Sequence, residues 1–122
     1  MNFFGLDDDD RNTIQSILAA HPEVETAIVY GSRARGNFKP GSDIDLILTG
    51  KRLTDQVLLD VRTELRDSNV PYRVDLVAEY EIHDENLKRE IELTGQCFYV
   101  RIPTEPGWLI EDQLAEKISR SV

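Results

Sequence analysis

The chain has 122 residues and sets 14 basic side chains against 23 acidic ones, a formal net charge of -9. That length carries one domain around one core, and a 40% hydrophobic share is ordinary for a globular protein. The acidic balance argues against general nucleic-acid binding, no apolar run reaches the ~18 residues of a membrane span, and one cysteine, Cys97, excludes a disulfide framework.

The first residues lack the basic start and apolar centre of a signal peptide, so the cytoplasm is the expected compartment. Asp7 to Asp10 precede Ile14, Ile17 and Leu18, which recur at helical spacing as far as Ala20. The acidic run suits the positive end of a helix; consecutive carboxylates on a helix do not converge on a cation. Residues 23–30 (EVETAIVY) read as a buried strand ended by Gly31, and residues 31–41 as a glycine- and arginine-rich stretch that forms a short helix or loop. Residues 42–49 (SDIDLILT) form a second strand. Val57, Val61 and Leu65, with Leu58 beside them, make one helical stripe that Thr54 can cap. Residues 72–78 (YRVDLVA) are a third strand, and Asp84 opens a helix that carries Leu87 and Ile91 and stops at Gly95. Residues 96–102 (QCFYVRI) read as a fourth strand, at an edge. After Pro103, Pro106 and Gly107, a tail helix repeats Ile110, Leu114 and Ile118, a stripe that covers either its own core or a partner. The expected architecture is α/β, a domain over residues 1–102 and a tail over residues 103–122.

Three features carry chemistry. Gly31-Ser32 follows a buried strand; a glycine there lets backbone approach a ligand, and the next amides and the Ser32 hydroxyl suit phosphate oxygens. Asp43 and Asp45 share a strand face by alternation, while Ile44, Leu46 and Leu48 take the other. Unit charges ~4 Å apart repel by about 4 kcal/mol at an effective dielectric near 20, and a hard cation such as magnesium relieves this. Two aspartates in water at a strand start are the ordinary alternative. Asp75, between apolar neighbours in mid-strand, is poorly explained by solvation; beside the Asp45 strand it becomes a third ligand or a general base. A salt bridge to Arg73 is the bland alternative.

The spacing sharpens this. Gly31-Ser32, ten residues, then Asp43-x-Asp45 is a compound pattern in its proper strand–turn–strand context. No acid falls between Thr26 and Ser42, yet Arg33, Arg35 and Lys39 do, which makes this segment the natural seat of a polyphosphate. Arg33 or Arg35 would neutralise charge on the phosphates. Ser42, at the end of the segment, joins the nucleotide-binding set.

Residues 29–48 (VYGSRARGNFKPGSDIDLIL) resemble the minimal nucleotidyltransferases of the DNA polymerase beta superfamily, and residues 71–77 (PYRVDLV) resemble their third-carboxylate strand. Looser similarity runs from about Leu6 to Val100. The resemblance implies a small mixed sheet flanked by helices. It implies magnesium, as two ions, on Asp43, Asp45 and Asp75, and the triphosphate of ATP on Gly31 and Ser32. In toxin–antitoxin members, the transferase is an antitoxin that moves AMP onto a tyrosine of a HEPN-domain RNase toxin. The implied partner is therefore a separately encoded HEPN toxin in a hetero-oligomer, with no direct nucleic acid and no membrane.

Two other classes are open: a transferase acting on a small molecule such as an antibiotic, and a non-catalytic module that neutralises its partner by contact. The first needs an acceptor pocket that so short a chain leaves little room for, and the second has no use for three clustered acids. His21 and His83 adjoin helix boundaries and read as structural or solvent-facing. Cys97 reads as a core residue on its strand, Tyr30 as packing under the turn, and Trp108 as a core anchor or an interface residue.

Overall fold

The computed structural model describes residues 4–39 and 41–101; the expected tail helix and Trp108 lie outside them. Helix α1 (Asp8–Ala19) opens on Asp7, whose side chain accepts from the Asp10 amide at 2.8 Å, so the acidic run does cap a helix. Strand β1 (Thr26–Tyr30) leads through Gly31 into a single turn, α2 (Ser32–Arg35), and then to β2 (Ile44–Thr49). Helix α3 (Asp55–Arg66) is capped by Thr54, which accepts from the Val57 amide. Strand β3 (Val74–Ala78), a 3-10 turn (Glu79–Glu81), α4 (Glu85–Thr94) and β4 (Gln96–Val100) complete the described chain. No described helix is long and apolar enough to cross a membrane.

The sheet order is β3-β2-β1-β4. β1 pairs antiparallel with both β2 and β4, whereas β2 and β3 run parallel, joined through α3 as a parallel pair requires. The sheet is mixed and β4 lies at an edge, both as expected. Ile14 and Leu18 of α1 and Val57, Leu58, Val61 and Leu65 of α3 meet alternate strand residues: Ala27 and Val29, Leu46 and Leu48, Leu76 and Ala78. Each such large side chain, fully buried, is worth roughly 1.5–3 kcal/mol. That burial fixes which face every other strand residue takes. With Leu46 and Leu76 in the core, Asp45 and Asp75 must lie on the opposite face.

Four expectations change. β1 starts three residues later than expected, because residues 22–23 form a turn. Gly95 ends α4 in extended backbone (φ -65°, ψ 143°), not a left-handed cap; its need is space, since a Cβ would lie 2.5 Å from the Ile91 carbonyl oxygen. Cys97 is exposed, not core. A register shift at Ala27/Ile28 pairs Tyr99 with Ala27 and Cys97 with Ile28, leaving Phe98 to turn into the core. Asp75 is exposed, because β3 is the other edge strand, and no ion pair joins it to Arg73. His21 is structural, hydrogen-bonded to Glu64 of α3.

Candidate active site

The site grows out of the ends of β1 and β2. Gly31 leaves β1 with φ +75° and ψ -153°, a region open in practice to glycine alone. It has a second constraint: a Cβ built there would lie 2.8 Å from Asp45 Oδ2. The Asp45 carboxylate therefore sits against the bare Cα of the turn. α2 follows at once, and the first amides of any helix have no intrahelical acceptor.

Across the sheet, Asp45 stands in register with Tyr30 on one side and with Asp75 on the other. The parallel pairing that sequence alternation could only suppose is present, residue for residue. Asp43 lies two positions back, in the exposed lead-in to β2. Asp45 feels the other two acids: burial first, then Asp75 and Asp43, push its half-buried carboxyl above its usual range, against a smaller downward pull from Arg33 and Arg35. The Tyr30 hydroxyl is likewise held protonated, by burial first and then by Asp45, Asp75 and Glu90.

The donor chemistry fits magnesium, since three carboxylates offer hard oxygens and their repulsion is what a divalent ion removes. Among the described residues no three acidic, histidine or cysteine side chains already stand as a closed cage, so the fit lies in donor type and strand register. A second feature points the same way. The Ser42 hydroxyl is buried without a hydrogen-bond partner, directly before Asp43. Buried hydroxyls are normally paired, and one left open beside a carboxylate cluster suits a ligand oxygen.

The basic segment divides in a way the sequence did not reveal. Arg33, expected beside phosphate, is only 3% exposed. Its guanidinium donates to the carbonyls of Phe4 (2.9 Å), Ser42 (2.8 Å) and Asp43 (3.3 Å). The Phe38 and Tyr72 rings lie 4.7 and 4.8 Å from its Cζ. These partners occupy it as an internal clamp. Arg35 is exposed and pairs with Glu90 of α4, and Lys39 is exposed. Ser32 is partly buried at the start of α2. The structure thus brings Gly31, Asp45 and Asp75 together, with Asp43 near enough to act on Asp45; Ser32 and Ser42 adjoin Gly31 and Asp43 in the chain, and Arg33 is buried.

The model of a family described as polymerase beta, nucleotidyltransferase, matches residues 12–103. No curated protein matches the chain. Among solved structures, a toxin–antitoxin with AMP-PNP is similar at a TM-score of 0.59 and 20% identity, over 91% of this chain and 86% of that one. The toxin–antitoxin MntA-HepT follows at 0.56 and 16%, over 93% and 88%. A tri-AMPylated Shewanella oneidensis HEPN toxin in complex with MNT antitoxin is similar at 0.55 and 19%, over 92% and 83%. At these identities the likeness is one of fold.

Proposed function

Because the chain belongs to the polymerase beta nucleotidyltransferase family, we propose that it is a magnesium-dependent enzyme that transfers AMP from ATP to a hydroxyl side chain, a tyrosine first of all, of a HEPN-domain toxin, and thereby acts as its antitoxin. One observation carries the reading: Asp45 and Asp75 lie in register on parallel strands, against a glycine turn shaped for close approach. Support for the nucleotide comes from the similar toxin–antitoxin with AMP-PNP, and for the acceptor from the similar complex whose HEPN toxin is tri-AMPylated.

In this reading Asp43, Asp45 and Asp75 hold the metal. A magnesium ion held there would supply Lewis-acid polarisation of the α-phosphate and offset charge on the departing pyrophosphate. Gly31 lets the triphosphate approach the backbone, and the Ser32 hydroxyl with the first amides of α2 donates to phosphate oxygens. The Ser42 hydroxyl gains its missing partner in the same way. Arg35, exposed beside the turn, can exchange Glu90 for a phosphate oxygen. Asp75, exposed on its edge strand, takes the proton of the attacking hydroxyl. That hydroxyl oxygen bonds to the α-phosphorus, and pyrophosphate leaves with the bonding electrons. An AMP on a tyrosine adds bulk and negative charge to the toxin, where RNA phosphate would otherwise bind.

A thermal-shift series tests the site. Magnesium with ATP should stabilise the protein well beyond either alone; ligand at a hundred times its Kd contributes about 2.7 kcal/mol, a rise of several degrees. Equal melting temperatures for the protein alone, with magnesium, with ATP and with both, at millimolar concentrations, would refute it.

A further inference from the structure

Arg33 is the only buried charged side chain among the described residues, and no carboxylate there lies within ion-pair distance of it. Burying a cation without a counter-charge is expensive, so apolar packing alone does not account for it. Its partners explain it better. One guanidinium joins three segments distant in sequence: the Phe4 carbonyl, the Ser42 and Asp43 carbonyls, and the Tyr72 ring just before β3. Phe38 closes the other side of the clamp, and Gly5 is held so near that a Cβ there would strike the Phe38 ring and lie 2.9 Å from Arg33 Nη1.

Asp43 lies outside β2, so the sheet ladder does not fix its backbone. The Ile44 amide is held by the Arg73 carbonyl at 2.9 Å and the Ser42 amide by the Lys39 carbonyl at 3.1 Å, while the Ser42 and Asp43 carbonyls are held by Arg33. We infer that Arg33 is a positioning residue of the transferase site: by gripping the Ser42 and Asp43 carbonyls it places the Asp43 carboxylate for the metal and ties that placement to the β3 segment that bears Asp75. The inference rests on the proposed transferase reading for its consequence and on the clamp geometry for its cause. Lysine cannot replace the arginine. A compact ammonium lacks both the planar fork that spans these carbonyls and the flat faces that lie against two rings.

The experiment compares Arg33→Lys, Arg33→Met and Asp43→Asn, singly and as Arg33→Lys/Asp43→Asn. The magnesium concentration at half-maximal ATP-dependent thermal shift is read beside the melting temperature without ligand. Arg33→Lys should raise that magnesium midpoint about 10- to 100-fold, the usual cost of removing a group that supports a metal ligand. It should add little once Asp43 is already Asn, because it acts through Asp43. An unchanged midpoint in Arg33→Lys overturns the inference, and so does a full additive loss in the double variant, which would mark Arg33 as an independent phosphate contact. Hydrogen exchange without nucleotide reads the clamp itself: the Ser42 and Ile44 amides, held by the Lys39 and Arg73 carbonyls on either side of Asp43, should exchange faster in Arg33→Lys and in Arg33→Met, with α1 and α3 unchanged. Unaltered exchange there also overturns it. A wild-type protein that ignores magnesium and ATP would sink the transferase reading instead, and exchange at the Ser42 and Ile44 amides would still decide the clamp.

Discussion

Replacing Asp45 with Asn should lower transfer by at least about 10³-fold while the fold stays intact and, at neutral pH, becomes more stable. Asn keeps the shape and one oxygen but loses the charge that, in the proposed reading, would hold a divalent ion. The gain in stability follows from the raised carboxyl. Burial, then Asp75 and Asp43, make the folded protein hold a proton on Asp45 more tightly than the unfolded chain does. Ionising Asp45 therefore costs stability at any pH above its range, and the cost fades as pH falls and both states become protonated. The melting temperature of Asp45→Asn should exceed that of the wild type at pH 7 and converge on it in the acid range. Asp75→Asn should behave differently: with proton acceptance as its main role, it should retain some of the nucleotide binding while losing turnover. Unchanged turnover in Asp45→Asn, or a lower melting temperature at pH 7, would contradict this account of the cluster.

Gly31→Ala should be the most damaging small substitution in the turn. Its backbone conformation costs a residue with a Cβ on the order of 1–3 kcal/mol. The added methyl would also meet Asp45 Oδ2 at 2.8 Å and Cγ at 3.6 Å, so the carboxylate must turn away from where β2 places it. A fall in melting temperature of roughly 5–10 °C is expected, with loss of stabilisation by magnesium and ATP even well below the transition. Gly41→Ala is the control. Gly41 also has a positive φ, +79°, but nothing lies within 4 Å of a Cβ there, so it should lose some stability and keep its response to magnesium and ATP. Equal loss of that response in both variants would mean that backbone strain alone, not the approach to Asp45, is what Gly31 serves.

Local pattern made much of this legible. Asp7, Thr54 and Asp84 announce their helices because a side-chain oxygen can reach a free amide only a few residues on. Asp45 and Asp75 could be assigned a face because a strand alternates strictly. Their pairing could not be read, since it depends on how α3 carries the chain from β2 to β3. The same limit misplaced Cys97: one extra residue in β4, set by pairing with β1, breaks the alternation that a core position would require. Asp75 looked enclosed because its neighbours in sequence are apolar, whereas exposure on β3 follows from sheet order. Arg33 and Arg35 were indistinguishable in sequence. What separates them is the Phe4 carbonyl and the Phe38 and Tyr72 rings on one side, and Glu90 on the other, of which only Phe38 is local to α2.

The most direct test is intact-mass measurement. The protein is incubated with ATP, magnesium and a HEPN-domain toxin. The account predicts that the partner gains one or more AMP units and loses RNase activity in step, and that Asp43→Asn abolishes both changes. Tight neutralisation of the partner with no change in its mass would contradict it, and would leave a protein that silences by contact alone.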